Sequence, residues 1–158
     1  MKVLVSPSAP EFVYFLENSN GQNPVAAVDA TTNAYVGMPG LISGATFTPA
    51  RAEDVLTAYG VGWGATSPSV QIGTVASAPA TLTNGYSVIV GGIQAAVSYI
   101  GLSPGSAGLY QVNFTVPSGL ASGNQPLVLN LYAVEFIDGL DYLVIESTTS
   151  NGFIPVIE

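Results

Sequence analysis

The sequence predicts an all-β protein, and three observations lead to this class. Its 18 Gly and 11 Pro repeatedly interrupt short runs rich in Val, Ile, Tyr, Phe and Thr, which is the pattern of strands separated by tight turns. One run alternates regularly between polar and apolar residues. Hydrophobic residues make up 48% of the chain and charged residues 8%, so we expect an ordered core. A single domain over residues 1–158 with this strand spacing indicates an immunoglobulin-like antiparallel β-sandwich, and a small β-barrel is the alternative.

The predicted strands follow one another along the whole chain. They are Glu11–Leu16, Val25–Asp29, Asp54–Tyr59, Ser69–Val75, Tyr86–Val90, Ile93–Ile100, Leu109–Val116, Leu127–Ile137, Leu140–Ile145 and Phe153–Ile157. The only helical candidate, Pro49–Asp54, is too short to be more than a turn.

Four connections have recognisable turn chemistry. Gly91-Gly92, Asp138-Gly139 and Asn151-Gly152 suit two-residue hairpins, whose central residues need positive φ. Asn84-Gly85 suits a turn leading into a strand.

Two strands show informative patterns. In Leu109–Val116 the polar side chains fall on one side and Tyr110, Val112, Phe114 and Val116 on the other, which predicts a half-buried strand. The apolar residues of Leu127–Ile137 are nearly continuous, as in a strand that is covered on both faces or changes sheet partway.

The charge balance excludes several functional classes. Lys2 and Arg51 are the only basic residues against ten acidic ones, the formal charge is −8, and there is no His or Cys. Two cations cannot neutralise enough phosphates for nucleic-acid binding. Catalysis by a serine triad or a thiol, binding of zinc and formation of disulfides all depend on His or Cys, which the chain lacks. We expect no enzyme and no membrane-spanning helix, since no apolar run approaches about 20 residues.

A long segment of the chain resembles a known family. Residues 90–117, which begin Val90-Gly91-Gly92-Ile93-Gln94 and end Asn113-Phe114-Thr115-Val116-Pro117, are similar to the signature of the Solibacter-type C-terminal domain family of acidobacterial exported proteins. Weaker similarity extends from about Val5 to Leu131. The resemblance implies an immunoglobulin-like sandwich, appended to secreted or cell-surface proteins and without an established activity.

Within this signature we expect structural roles. Glycines let the loop between two strands approach neighbouring backbone closely, and Tyr110 is expected to bond back to the main chain, as the tyrosine of a sandwich corner does. The signature residues are Gly101, Pro104, Gly105, Gly108, Tyr110, Asn113 and Pro117. The chain departs from the family pattern by an added hairpin over residues 134–147, around Asp138-Gly139, and by standing alone.

Carboxylates are the only numerous ionisable groups, yet they predict no catalytic site. Asp138 and Asp141 are weak candidates for Ca²⁺, although a simple turn is favoured there, and the loop Glu17–Asn23 is a weaker one. Glu53 and Asp54 are adjacent, so they would point to opposite faces of a strand and cannot form a glycosidase pair. A local ion pair with Arg51 is favoured instead. No cofactor is expected.

Aromatic side chains suggest a second class of function. Trp63, Tyr59 and Tyr99 are candidate platforms for sugar rings, although Trp63, flanked by Gly62 and Gly64, more simply plugs one end of the sandwich.

The leading hypothesis is a non-enzymatic structural or interaction domain, extracellular or at the cell surface, that pairs with other protein chains or with itself. Apolar strands at both ends, Phe12–Leu16 and Phe153–Ile157, would leave exposed edges unless they are paired, and such an edge could complete a neighbour's sheet by strand addition. The alternative is a carbohydrate-binding module. Val3-Leu4-Val5 is too short for a signal peptide, so either an export signal was removed or the protein is cytosolic.

Overall fold

A computed structural model describes residues 8–137, 140–149 and 151–158, and between residues 133 and 146 only the backbone is described. The described residues form fifteen strands and no helix, so none of them lies in a helix able to cross a membrane.

The strands in the first half of the chain are short. They are β1 (Glu11–Phe12), β2 (Asn23–Pro24), β3 (Ala27–Asp29), β4 (Tyr35–Val36), β5 (Phe47–Thr48), β6 (Val55–Val61), β7 (Thr66–Ser67) and β8 (Ala80–Leu82). The second half has the longest strands. They are β9 (Gly85–Val90), β10 (Ile93–Gln94), β11 (Ala96–Leu102), β12 (Tyr110–Thr115), β13 (Gly123–Ile137), β14 (Leu140–Thr148) and β15 (Gly152–Val156).

The strands form two open sheets packed face to face, which confirms the predicted β-sandwich. The first sheet has the order β5-β4-β3-β6-β12-β11-β8-β7, with β1 also paired to β6. The second has the order β10-β9-β13-β15-β2, with β14 also paired to β13. All pairings between these strands are antiparallel except β4 with β5 and β15 with β2, so the sheets are mixed and not purely antiparallel as predicted.

The core lies between the sheets and is built by alternate residues of the long strands. Val112 and Phe114 of β12 are fully buried while the preceding residue of each, Gln111 and Asn113, is only partly covered, which confirms the predicted alternation. Fully buried side chains of the second sheet are Val88, Val90, Leu127, Leu129, Leu131 and Ile154. A pleated strand alternates its faces, so each strand gives one set of side chains to this core.

The strand predicted over Ile93–Ile100 is broken by a crossing between sheets. Ile93 and Gln94 pair with β9 in the second sheet, whereas β11 from Ala96 onward pairs with β12 in the first. The buried Ala95 lies at the crossing. The predicted Gly91-Gly92 hairpin is confirmed, since both residues have positive φ, 56° and 85°, between the paired Val90 and Ile93.

The prediction of a strand over Ser69–Val75 is wrong, because this segment is a loop. The N–H of Thr74 donates to the carbonyl of Gln71 across a turn in which Gly73 has a φ of 81°. A glycine at positive φ favours the turn over an extended strand. The side chain of Ile72 is fully exposed at the tip.

The long strand β13 exchanges partners along one edge but stays in one sheet. Residues 123–127 pair with β15 and residues 130–137 pair with β14. The predicted Asn151-Gly152 hairpin is therefore wrong, since β14 and β15 follow one another along β13. Gly152 lies within β15, where an added Cβ would meet Val25 Cγ2 at 2.6 Å. The predicted Asp138-Gly139 turn lies outside the described residues.

Candidate functional site

The most unusual feature of the sandwich is a two-stranded ribbon at one end, formed by residues 133–137 of β13 and 140–144 of β14. β9 accompanies β13 only as far as the pairing of Tyr132 with Gly85. Beyond that point the register continues from Ala133 opposite Val144 to Ile137 opposite Leu140. In the described part of the chain, no third strand pairs with this segment, so the ribbon extends beyond the second sheet.

The ribbon leaves the sandwich at the end where the first sheet carries Trp63 and Tyr110. Only Thr83 and Asn84 separate β8 of the first sheet from Gly85, the first residue of β9. β8 pairs with Leu102, which pairs in turn with Tyr110. Tyr110 pairs with Gly60, three residues before Trp63. This chain of pairings places the ribbon and the Trp63 loop at the same end.

The strands expected to offer unpaired edges near the termini do not do so. β1 pairs with β6, and Tyr14 forms a bridge with Val25. β15 lies between β13 and β2. The segments Phe12–Leu16 and Phe153–Ile157 are therefore paired within the chain and do not supply the unpaired edges, while strand addition itself stays a prediction.

β14 is the longest strand with a free edge among the described residues. Eight of its nine residues pair with β13, and no described strand pairs with its other side. The outer strands that end the two sheets, β5, β7, β10 and β2, have two residues each. Very short edge strands are a common protection against pairing with other chains, and β14 lacks this protection.

Residues 134–147, which include all of the ribbon except Ala133, are apolar and acidic in sequence. They include Glu135, Asp138, Asp141 and Glu146, four of the ten acidic residues of the chain, and no basic residue.

Trp63 is completely buried and holds the end of the core together. Its ring packs against Phe12 edge to face, with ring centroids 5.9 Å apart, and against Tyr110 at 5.6 Å. Its Nε1–H is directed at the carbonyl of Glu11, 3.4 Å away. Since no face of the indole is exposed, burial supports the plugging role and not a sugar platform.

Tyr59 and Tyr99, the other two candidate ligand residues, remain partly exposed. The hydroxyl of Tyr99 donates to the carbonyl of Leu102 over 2.7 Å, which fixes the orientation of its ring. Tyr59 lies on β6 directly opposite Gln111 on β12. The sequence prediction missed Gln111 as a site candidate, although the alternation of Leu109–Val116 already placed it on the polar face.

The signature residues have structural roles of different kinds. Tyr110 donates its hydroxyl to the main-chain carbonyl of Gly64, which confirms the predicted bond to the backbone. An added Cβ on Gly101 would lie 2.1 Å from the carbonyl oxygen of Ala80, so close backbone approach requires this glycine. Gly105 and Gly108 have open space around them but positive φ, 84° and 72°.

The remaining signature residues lie just after a strand or form hydrogen bonds between neighbouring strands. Pro104 follows β11 in the same turn as Gly105. Asn113 accepts hydrogen bonds from Thr57 and Gln111. Pro117, just after β12, lines a cleft together with Leu120 and Ile157.

Two carboxylates line one cavity of about 250 Å³, but both accept backbone hydrogen bonds within turns. Asp54 accepts the backbone N–H of Arg51 over 2.7 Å. Asp29 accepts the backbone N–H groups of Thr31 and Thr32 over 2.8 and 2.7 Å. Burial alone would raise the pKa of Asp29, but these hydrogen bonds outweigh it and lower the pKa below its usual value. A glycosidase acid needs a raised pKa, the opposite of what Asp29 shows.

The surroundings of Arg51 differ from the sequence prediction in two ways. Its guanidinium donates to the main-chain carbonyl of Glu158 over 2.7 Å. The described contact with Asp54 is a hydrogen bond from the backbone N–H of Arg51 and not an ion pair. Glu53 and Asp54 lie in a turn before β6, with Glu53 at a φ of 71°, so they do not point to opposite faces of a strand.

The calcium candidates are only partly described. Asp138 and the side chain of Asp141 lie outside the described part of the chain. In the loop Glu17–Asn23 the side-chain oxygens of Asn20 and Asn23 accept backbone N–H groups of the same loop. Elsewhere, the described residues contain no group of three or more acidic, His or Cys side chains arranged to hold a metal.

Comparison with family models, with curated proteins and with solved structures finds no match for this chain. The resemblance of residues 90–117 to the Solibacter-type family stays a prediction. The class of protein that the fold itself defines is a β-sandwich with a projecting two-stranded ribbon.

Proposed function

We propose that this protein is a non-enzymatic structural domain, exported to the cell surface or the extracellular space, that associates with other protein chains, copies of itself included, through its ribbon. The observation that carries this proposal is the outer edge of β14, a strand of nine residues, which no other described strand covers, on a ribbon that extends past the second sheet.

The physical basis is the unpaired backbone of an edge strand. Along a free edge, alternate N–H and C=O groups point away from the sheet and can pair with an added strand. Natural sheets usually discourage this with short edge strands, Pro or Lys. β14 contains neither Pro nor Lys, so it lacks both of these features.

Composition supports an extracellular, non-enzymatic role. The chain has no His or Cys, and the two carboxylates that share a cavity are engaged in turns. Charged residues make up only 8% of the chain, so Ser, Thr, Asn and Gln outnumber them among its polar side chains. The resemblance of residues 90–117 to a family of exported proteins points to the same compartment.

The acidic residues of the ribbon predict that its self-association depends on salt concentration. Two copies of the ribbon bring together like charges from Glu135 and Asp141. Salt screens such repulsion over a Debye length of about 8 Å at physiological ionic strength. Self-association through the ribbon should therefore strengthen as salt rises, in contrast to an interface held by opposite charges.

The test is a shortened ribbon. Because Ala133 pairs with Val144, replacing residues 134–143 by Asn-Gly closes the hairpin with a two-residue turn in the same register. Sedimentation velocity from micromolar to millimolar protein, at low and high salt, compares the full chain with this variant. We expect concentration-dependent association of the full chain only, strengthened by salt.

Thermal unfolding of the shortened protein is the control. It should match that of the full chain, since the pairing of Tyr132 with Gly85 is kept. A full chain that stays a compact monomer at the highest concentration contradicts self-association. Equal association of both proteins would mean that the ribbon is not the interface.

A further inference from the structure

The outer face of the first sheet brings two partly exposed tyrosines and two amides together. Tyr59 on β6 is directly opposite Gln111 on β12, and Asn113 on β12 is directly opposite Tyr99 on β11. Directly opposite residues point to the same face of a sheet. The buried Val112 and Phe114 point inward, so these four side chains point outward.

The two rings flank the amides diagonally. Tyr59 and Tyr99 lie on strands separated by β12, which places their backbones two strand spacings apart, about 10 Å, and they are further offset by two residues along the strand direction. This span exceeds one pyranose ring. An oligosaccharide lying across β12 would contact both tyrosines.

A chain of hydrogen bonds fixes the orientation of the amides. Ser103 donates to Gln111 Oε1 over 2.9 Å, and Gln111 Nε2 donates to Asn113 Oδ1 over 3.2 Å. Thr57 donates to the same Asn113 oxygen over 3.1 Å. Since Oδ1 accepts both bonds, the side-chain nitrogen of Asn113 must be on the other side of the amide.

That nitrogen is a donor without a protein acceptor. Asn113 Nδ2 makes no hydrogen bond in the described part of the chain, and the described residues include no buried side-chain nitrogen or oxygen without a partner. Nδ2 is therefore accessible to solvent, and its two hydrogens are free for a ligand.

The second sheet provides a contrast. There Asn130 also lies in a hydrogen-bonded row, but its nitrogen donates to Ser87 and its oxygen accepts from Thr148. Asn130 is also nearly buried, at 9% exposure. The amide of the first sheet thus differs in having an uncommitted donor.

We propose that this face, formed by Tyr59, Tyr99, Gln111 and Asn113, is a binding site for a neutral polysaccharide chain. Aromatic rings present apolar faces to the C–H surface of a sugar, and oriented amides supply donors to its hydroxyls. None of the four side chains is charged, and the net charge of −8 disfavours anionic chains. The site goes beyond the proposed association and does not depend on it.

The test is affinity electrophoresis in native gels that contain hydroxyethylcellulose, xylan, galactomannan or polygalacturonate. We expect at least one of the three neutral polymers to retard the protein and polygalacturonate to leave its mobility unchanged. Tyr59→Ala and Tyr99→Ala should each weaken the binding about tenfold. Asn113→Asp keeps the acceptor for Thr57 and Gln111 but loses the free donor, and should weaken binding about fivefold.

Two matched proteins serve as controls. Tyr86→Ala removes a tyrosine of β9 that is 39% exposed on the other sheet, and it should bind as the unaltered protein does. The shortened-ribbon protein should also bind equally, so a failure of self-association is distinguishable from a failure of this site. Thermal unfolding checks that each variant is folded. Absence of retardation by all three neutral polymers, or unchanged binding by the Tyr59, Tyr99 and Asn113 variants, overturns the proposal.

Discussion

The hydroxyl of Tyr110 donates a hydrogen bond to the main-chain carbonyl of Gly64, and the Tyr110 ring packs against Trp63 with centroids 5.6 Å apart. One side chain thus joins β12 to the loop that follows β6 and covers the buried indole. The contact closes the end of the sandwich from which the ribbon projects.

Removing this hydroxyl should destabilise the fold. Tyr110→Phe keeps the ring against Trp63 but leaves the Gly64 carbonyl without its donor, which should cost about 1.5 kcal/mol in the free energy of unfolding. Urea denaturation followed by fluorescence of Trp63, the sole Trp, measures the change. Tyr35→Phe is the control, because the Tyr35 ring is 47% exposed. An equal loss of unfolding free energy in both variants would show that the hydrogen bond to Gly64 adds no stability of its own.

Two glycines of the same signature should respond differently to alanine. At Gly101 the new Cβ would meet the Ala80 carbonyl oxygen at 2.1 Å, so main chain must move, at a cost of about 3 kcal/mol. At Gly105 nothing lies within 4 Å and only the positive φ of 84° opposes alanine, which costs about 1 kcal/mol. The unfolding free energies of Gly101→Ala and Gly105→Ala test this order, and a reversed order would contradict it.

Stability should fall at alkaline pH because of two tyrosines. Burial raises the pKa of Tyr14, as does its hydrogen bond to the Glu11 carboxylate, and burial raises that of Tyr110. In the unfolded chain both phenols ionise near pH 10. Above that pH the unfolded state loses protons that the folded state keeps, so stability is full below about pH 10 and declines as pH rises through the folded pKa values.

Urea denaturation at several pH values, from about pH 8 to about pH 11, tests this dependence. The double variant Tyr14→Phe with Tyr110→Phe lacks both phenols, so its stability should depend less on pH over the same range. If the stability of the two proteins declined in parallel, other groups would be responsible for the alkaline loss.

Part of the candidate sites was predictable from the sequence. The predicted strands on either side of Asp138-Gly139 indicated a hairpin over residues 134–147, and aromatic character indicated Tyr59 and Tyr99. Trp63 was equally aromatic, but its burial depends on contacts with Phe12 and Tyr110 that are distant in sequence. The free donor of Asn113 depends on Thr57, 56 residues away.

The sequence by itself determined the all-β class, the alternating faces of β12 and the Gly91-Gly92 hairpin, because each depends on side-chain periodicity or on backbone preferences of neighbouring residues. Only the tertiary structure decided that the chain changes sheet at Ala95, that the strands near the termini are paired internally and that no second described strand pairs with β14. The physical reason is that a β-strand completes its hydrogen bonds with a partner strand that is distant in the chain. The pattern of residues within one strand does not identify that partner.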